Sequence, residues 1–190
     1  MAGPPKKIMI IRHGEKPATG YQGVQANGAA DAKSLIVAGW QRAGALNAYF
    51  APAKGSPPKK DIATPDYIYA ANPKGESERP CETVTPLAAW LGYKQGSKQF
   101  DVSFDIGGGE PPMVDSAIAL DGTVLICWEH ENIYPHIVDA IRNHVPITNY
   151  KDMKAWPNVF DLVWVFDLDS SGKNYTWNQV HQELMYGDKR

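Results

Sequence analysis

Cysteine is almost missing: Cys81 and Cys127 are the only two in 190 residues. Two thiols make no disulfide framework, and their positions fit no metal-ligand spacing. Long hydrophobic runs are missing too. No apolar stretch approaches the roughly 20 residues of a membrane span. The opening MAGPPKKIMII has four apolar residues before Arg12, too few for a secretory leader. Nor does either sign of charge dominate, with 19 Lys and Arg against 21 Asp and Glu and a formal net charge of −2. That balance provides no field for nucleic acid or an anionic membrane, so any anion must be bound by a local cluster of cations. Together these absences predict a cytoplasmic protein with reduced thiols, no nucleic-acid partner and no membrane contact. They set no oligomeric state.

What is present describes a globular chain. Hydrophobic residues make up 43% and charged residues 21%, and the length suits one domain, residues 1–190, with a substantial core. Four runs read as strands: Lys7–Ile11, Tyr67–Ala71, Thr123–Trp128 and Val159–Phe166. The first and third are nearly all apolar, as strands covered on both faces are. Helical patterns lie between them. One runs from a Ser34 cap to about Phe50. The second has Ser77 as cap, Pro80 in its first turn, Pro86 inside and Gly92 at its end. The third has Pro135 near its start. The alternation predicts an α/β domain with a mainly parallel sheet. Ser170–Lys173 is a turn signal between two strand-like runs and predicts a C-terminal β-hairpin. Ala18–Lys33, Ala51–Pro65 and Gly96–Asp121 read as surface loops.

The stretch KKIMIIRHGEKP runs apolar from Ile8 to Ile11 and stops on Arg12, His13 and Gly14. Parallel α/β sheets bind ligands at the carboxyl ends of their strands. Arg12 and His13 follow the first strand, Arg79 follows the second, and His130 follows the third. Two arginines and two histidines therefore converge on one sheet edge. Arginine forks match phosphate oxygens, and a neutral histidine is a good nucleophile toward phosphorus.

RHGEK after a short apolar strand resembles the signature of the histidine phosphatase superfamily, the phosphoglycerate-mutase-like fold. SLIVAGWQRA resembles a further family segment through Leu35, Gly39, Arg42 and Ala43. ERPCETVTPLAAWLG resembles the second-arginine helix, with Arg79 and Thr83 in register. VLICWEHEN resembles the second-histidine strand. Four motifs in the right order are far more specific than one. The resemblance implies a three-layer sandwich around a mainly parallel central sheet. It implies His13 as nucleophile through a phosphohistidine, with Arg12, Arg79 and a protonated His130 on the phosphoryl oxygens. Lys16 stands where the acid phosphatase and phytase branch often has another arginine, and Glu131 where that branch has aspartate. No cofactor and no metal are implied.

The expected activity is that of a metal-independent phosphomonoester hydrolase on a phosphorylated small molecule or phosphopeptide. A mutase-type phosphoryl transferase and a non-catalytic phospho-ligand module are the alternatives. Three carboxylates compete for the role of proton donor. Glu131 occupies the matching position. Glu129 precedes His130 by one residue, so its side chain is expected on the opposite face. Glu110 lies in the stretch read as a long loop. Arg42 reads as a structural helix residue, and His136, His144 and His181 as surface or packing residues. His130 and His136 with nearby glutamates match no metal pattern.

Overall fold

Ile8–Ile11 are fully buried because β1 (Lys7–Arg12) runs through the middle of a six-stranded sheet. The computed structural model describes residues 3–53, 56 and 58–188. Three residues of the loop expected over 51–65, at 54, 55 and 57, lie outside that set. The further strands are β2 (Tyr67–Ala70), β3 (Phe100–Asp101), β4 (Thr123–Trp128), β5 (Leu162–Leu168) and β6 (Tyr175–His181). Their order is β3-β2-β4-β1-β5-β6. The first four pair in parallel, while β5 lies antiparallel to β1 and to β6. β5 and β6 form the expected hairpin, with Gly172 at φ +69° in its turn.

Both sheet faces are covered, which is why β1 and β4 show no polar alternation. Met9 and Ile11 pack against α1 (Val37–Phe50) and α2 (Arg79–Trp90). Ile8 and Ile10 pack on the other face against α3 (Glu110–Ile118) and α5 (Val138–His144). The result is an α/β three-layer sandwich.

Four expectations are corrected. α1 starts at Val37, three residues after Ser34. Of the amides that a Ser34 cap would accept from, Ile36 N is bound instead to the Glu15 carbonyl at 3.1 Å, and Glu82 Oε2 holds the neighbouring Leu35 N at 2.8 Å. Residues 96–121 are not one loop, since β3 and α3 lie within them. The Gly-rich stretch that suggested a loop supplies the start of α3. β5 begins at Leu162, not Val159, because the Val159 carbonyl accepts side-chain hydrogen bonds from Arg12 and Trp156. The third helix is broken into α4 (His130–Asn132) and α5 by the extended backbone of Tyr134, before Pro135.

Gly39 of α1 fixes the distance between that helix and the end of β1. A Cβ at Gly39 would lie 2.7 Å from the Glu15 carbonyl oxygen and 2.9 Å from its nitrogen. These are backbone atoms that cannot rotate away. Gly39→Ala is therefore expected to destabilise the fold by about 1–3 kcal/mol in urea unfolding. Gly44 in the same helix is exposed and has open space around it. Gly44→Ala should stabilise by up to about 1 kcal/mol. Equal effects at the two positions would contradict the close approach.

Candidate active site

β1 carries Arg12 and His13 to the edge of the sheet, and neither side chain retains contact with solvent, at 1% and 0% exposure. The ladder continues one residue past Arg12, as His13 N donates to the Trp128 carbonyl at 3.0 Å. The chain then turns at Gly14, whose amide donates to Thr83 Oγ1 at 2.8 Å. Thr83 in turn donates to the Arg79 carbonyl at 2.7 Å. One hydroxyl thus ties the β1 terminus to the first turn of α2, which explains the Arg79–Thr83 spacing.

The His13 ring is held by one bond. Its Nδ1 lies 2.7 Å from the Gly14 carbonyl oxygen. A carbonyl only accepts, so Nδ1 carries the proton and Nε2 carries the lone pair. Nε2 is buried without a partner among the described residues. Burial lowers the His13 pKa to about 3; Arg12, Arg79 and Lys16 push the same way, and the Gly14 bond opposes them. The ring is neutral at physiological pH.

Arg12 is positioned from the loop before β5. Its Nη1 donates to Asn158 Oδ1 at 3.3 Å and to the Val159 carbonyl at 3.2 Å. Its guanidinium carbon sits 4.0 Å above the Phe160 ring, a cation–π contact. Nε and Nη2 are unpartnered among the described residues. Arg79 uses Nη1 on the Ala32 carbonyl at 3.2 Å, and its Nε is likewise unpartnered. Burial lowers both arginine pKa values, that of Arg12 to about 10, and both guanidiniums stay charged at neutral pH. Exposed Lys16 acts electrostatically on His13 and His130. His130 begins α4 with Nδ1 unpartnered among the described residues. Its pKa is lowered by burial and by Arg12 and Lys16, against Glu131.

The carboxylates separate. Glu131 is exposed. Glu129 is half-buried, and its charge acts on Arg12 and Arg79. Its backbone is extended just past β4. Burial raises its pKa, helped by Glu131 and opposed by Arg79 and Lys16. Glu110 is occupied in a structural role. Its oxygens accept from Gly107 N, Gly108 N and Trp128 Nε1 at 2.8–2.9 Å. Burial works to raise its pKa, but these bonds prevail and lower it, so it is poorly suited to donate a proton.

Arg42 is buried and paired with Glu15 and Asp188. His144 and His181 pair with Asp115 and Asp161, and His136 is exposed. Among the described residues no group of three His, Cys, Asp or Glu side chains is placed to hold a metal, and no helix is long and apolar enough to cross a membrane. Cys81 and Cys127 are buried free thiols.

No protein-family model and no curated protein matches the chain. Solved structures do. A mycobacterial glucosyl-3-phosphoglycerate phosphatase in complex with VO3 matches with a TM-score of 0.50 and 12% identity, over 92% of this chain and 97% of that one. The chain shares the fold of that phosphatase. The protein histidine phosphatase SixA with tungstate aligns at 16% identity over 93% of this chain and 97% of that one, with a TM-score of 0.49. At such identities the likeness is one of fold. Within this fold, Arg12 is at, and His13, Arg79 and His130 follow, the carboxyl ends of parallel strands, the edge where such sheets bind ligands. Asn158 and Phe160 had no motif to mark them, since VFDLVWVF reads as one strand.

The buried neutral imidazole has a pH signature. The pKa of His13 is about 3 in the fold, against about 6.5 unfolded. Above pH 6.5 neither state binds the proton and the contribution to stability is complete. As pH falls toward 3, only the unfolded state protonates, which costs on the order of 2 kcal/mol by pH 5. Urea unfolding of the wild type should therefore lose about 2 kcal/mol more between pH 7.5 and pH 5 than His13→Asn does. Equal losses would show that His13 is not held neutral.

Proposed function

We propose that the protein is a metal-independent phosphomonoester hydrolase with His13 as its nucleophile. One observation carries the reading. The bond from His13 Nδ1 to the Gly14 carbonyl leaves a buried, deprotonated Nε2 within the field of Arg12 and Arg79. A binding pocket for phosphate has no need of such a group.

The steps follow from the donors. The unpartnered N–H groups of Arg12 and Arg79 bind the phosphoryl oxygens, and a bound dianion favours the protonated form of His130, which then donates as well. His13 Nε2 forms a bond to phosphorus as the bond to the leaving oxygen breaks. The leaving oxygen takes a proton from a carboxylic acid, giving the free alcohol and a phosphohistidine. Water then attacks phosphorus and the P–N bond breaks. The ionised carboxylate takes the proton of the water, and inorganic phosphate departs. The cations offset the charge that spreads over the equatorial oxygens.

Glu129 suits the acid role better than Glu131. It is half-buried and its pKa is raised by burial, whereas Glu131 is exposed. Lys16 helps to attract the dianion at the mouth. Substrates are phosphorylated small molecules or phosphopeptides.

The test is hydrolysis in EDTA of 4-nitrophenyl phosphate and of an alkyl phosphate. The wild type should cleave both. Glu129→Gln should slow the alkyl ester by roughly 10²–10⁴ and barely affect the aryl ester, whose phenolate leaves unaided. A divalent-ion requirement, or no hydrolysis, would contradict the reading. The same leaving-group sensitivity in Glu131→Gln would move the acid role to Glu131.

A further inference from the structure

Arg42 is the most completely engaged cation of the described chain, and it lies outside the phosphate site. At 2% exposure it has every nitrogen bonded. Nε and Nη2 donate to Glu15 Oε1 at 2.9 and 2.7 Å. Nη1 donates to Gln182 Oε1 at 2.9 Å and to Asp188 Oδ2 at 3.1 Å, and Nη2 donates to Asp188 Oδ1 at 2.6 Å. The Asp188 pair is bidentate, the most directional form of this contact. Asp188 Oδ2 also accepts from Leu184 N and Met185 N at 2.8 and 3.0 Å, so residues 182–188 fold around that carboxylate. Burial alone would lower the Arg42 pKa, but the bonds to Asp188 and Glu15 raise it.

Glu15 is the next link. Its nitrogen belongs to the same peptide plane as the Gly14 carbonyl, the group that accepts from His13 Nδ1. Its backbone rests against Gly39 and binds Ile36 N at 3.1 Å. Its side chain is turned toward Arg42. A shift of the Glu15 backbone would carry the Gly14 carbonyl with it, since the two share one peptide plane.

We propose that Asp188 and Gln182 are positioning residues, which act through Arg42 and Glu15 to aim the Gly14 carbonyl at His13. The segment 182–188 is then a strap that fixes which nitrogen of the nucleophile carries the proton. This rests on the phosphatase reading for its kinetic consequence, but not for its structural one. Neither residue touches substrate.

Two readouts test it. In the first, Asp188→Ala should lower kcat for 4-nitrophenyl phosphate by on the order of 10-fold to 100-fold, as small misplacements of a reacting group do. KM should change little, because Arg12 and Arg79 keep their partners, and Asp188→Glu should recover part of the loss. In the second, histidine-labelled protein is examined by ¹⁵N NMR. His13 should show the Nδ1–H form in the wild type and a mixture in Asp188→Ala. Asp188→Asn, which keeps the shape and removes the charge, serves if the alanine variant does not fold. A folded variant with unchanged kcat and an unchanged His13 tautomer would overturn the proposal. A wild type without turnover but with the tautomer shift would overturn the phosphatase reading and leave the strap standing.

Discussion

The hydrogen bond from His13 Nδ1 to the Gly14 carbonyl is the constraint on which the site depends. It is a bond between adjacent residues, and the chain makes it only because the strand ends there. Gly14 lets α1 approach closely: a Cβ at that position would meet the Gly39 backbone at 3.1 Å. Thr83 holds the Gly14 amide from α2. The carbonyl is thus anchored from two helices on one face of the sheet. A rigid carbonyl chooses the tautomer, and the tautomer leaves the lone pair on Nε2.

Charge explains the rest of the arrangement. Arg12, Arg79, Lys16 and His130 gather at one edge in a chain whose formal net charge is −2. A local cation cluster of that size would repel itself without counter-charges, and Glu15, Glu129 and Glu131 supply them around Arg12. The carboxylates differ in what they do next. Glu15 is tied to Arg42, so its charge is fixed. Glu129 is half-buried, and burial raises its pKa. Burial of His13 at 0% exposure costs far more if the ring is charged, and the surrounding arginines make charging harder still. On the proposed reading, the same field that keeps the ring neutral also draws a phosphate dianion toward it.

Much of this was legible in the sequence, for identifiable reasons. The strands Lys7–Arg12 and Thr123–Trp128 are buried on both faces, so they read as unbroken apolar runs. The carboxyl ends of three parallel strands placed Arg12, His13, Arg79 and His130 together, and the hairpin announced itself through Ser170–Lys173. Other features depend on contacts that no local pattern encodes. Ser34 resembles a helix cap, but the neighbouring amides are claimed by Glu82 and Glu15 from distant segments. Glycines and prolines in the GGGEPP stretch suggested a loop, yet Glu110 binds the Gly107 and Gly108 amides and opens a helix. Asn158, Phe160 and Asp188 act through tertiary contacts to Arg12 and Arg42, which one sequence does not display.

The covalent role of His13 is the central claim, and trapping the phosphoryl group tests it most directly. Enzyme mixed with 4-nitrophenyl phosphate and quenched in alkali should carry an acid-labile, base-stable phosphoryl group on the peptide that contains His13. His13→Asn should carry none. A phosphoryl group on another residue, or full turnover by His13→Asn, would contradict the account.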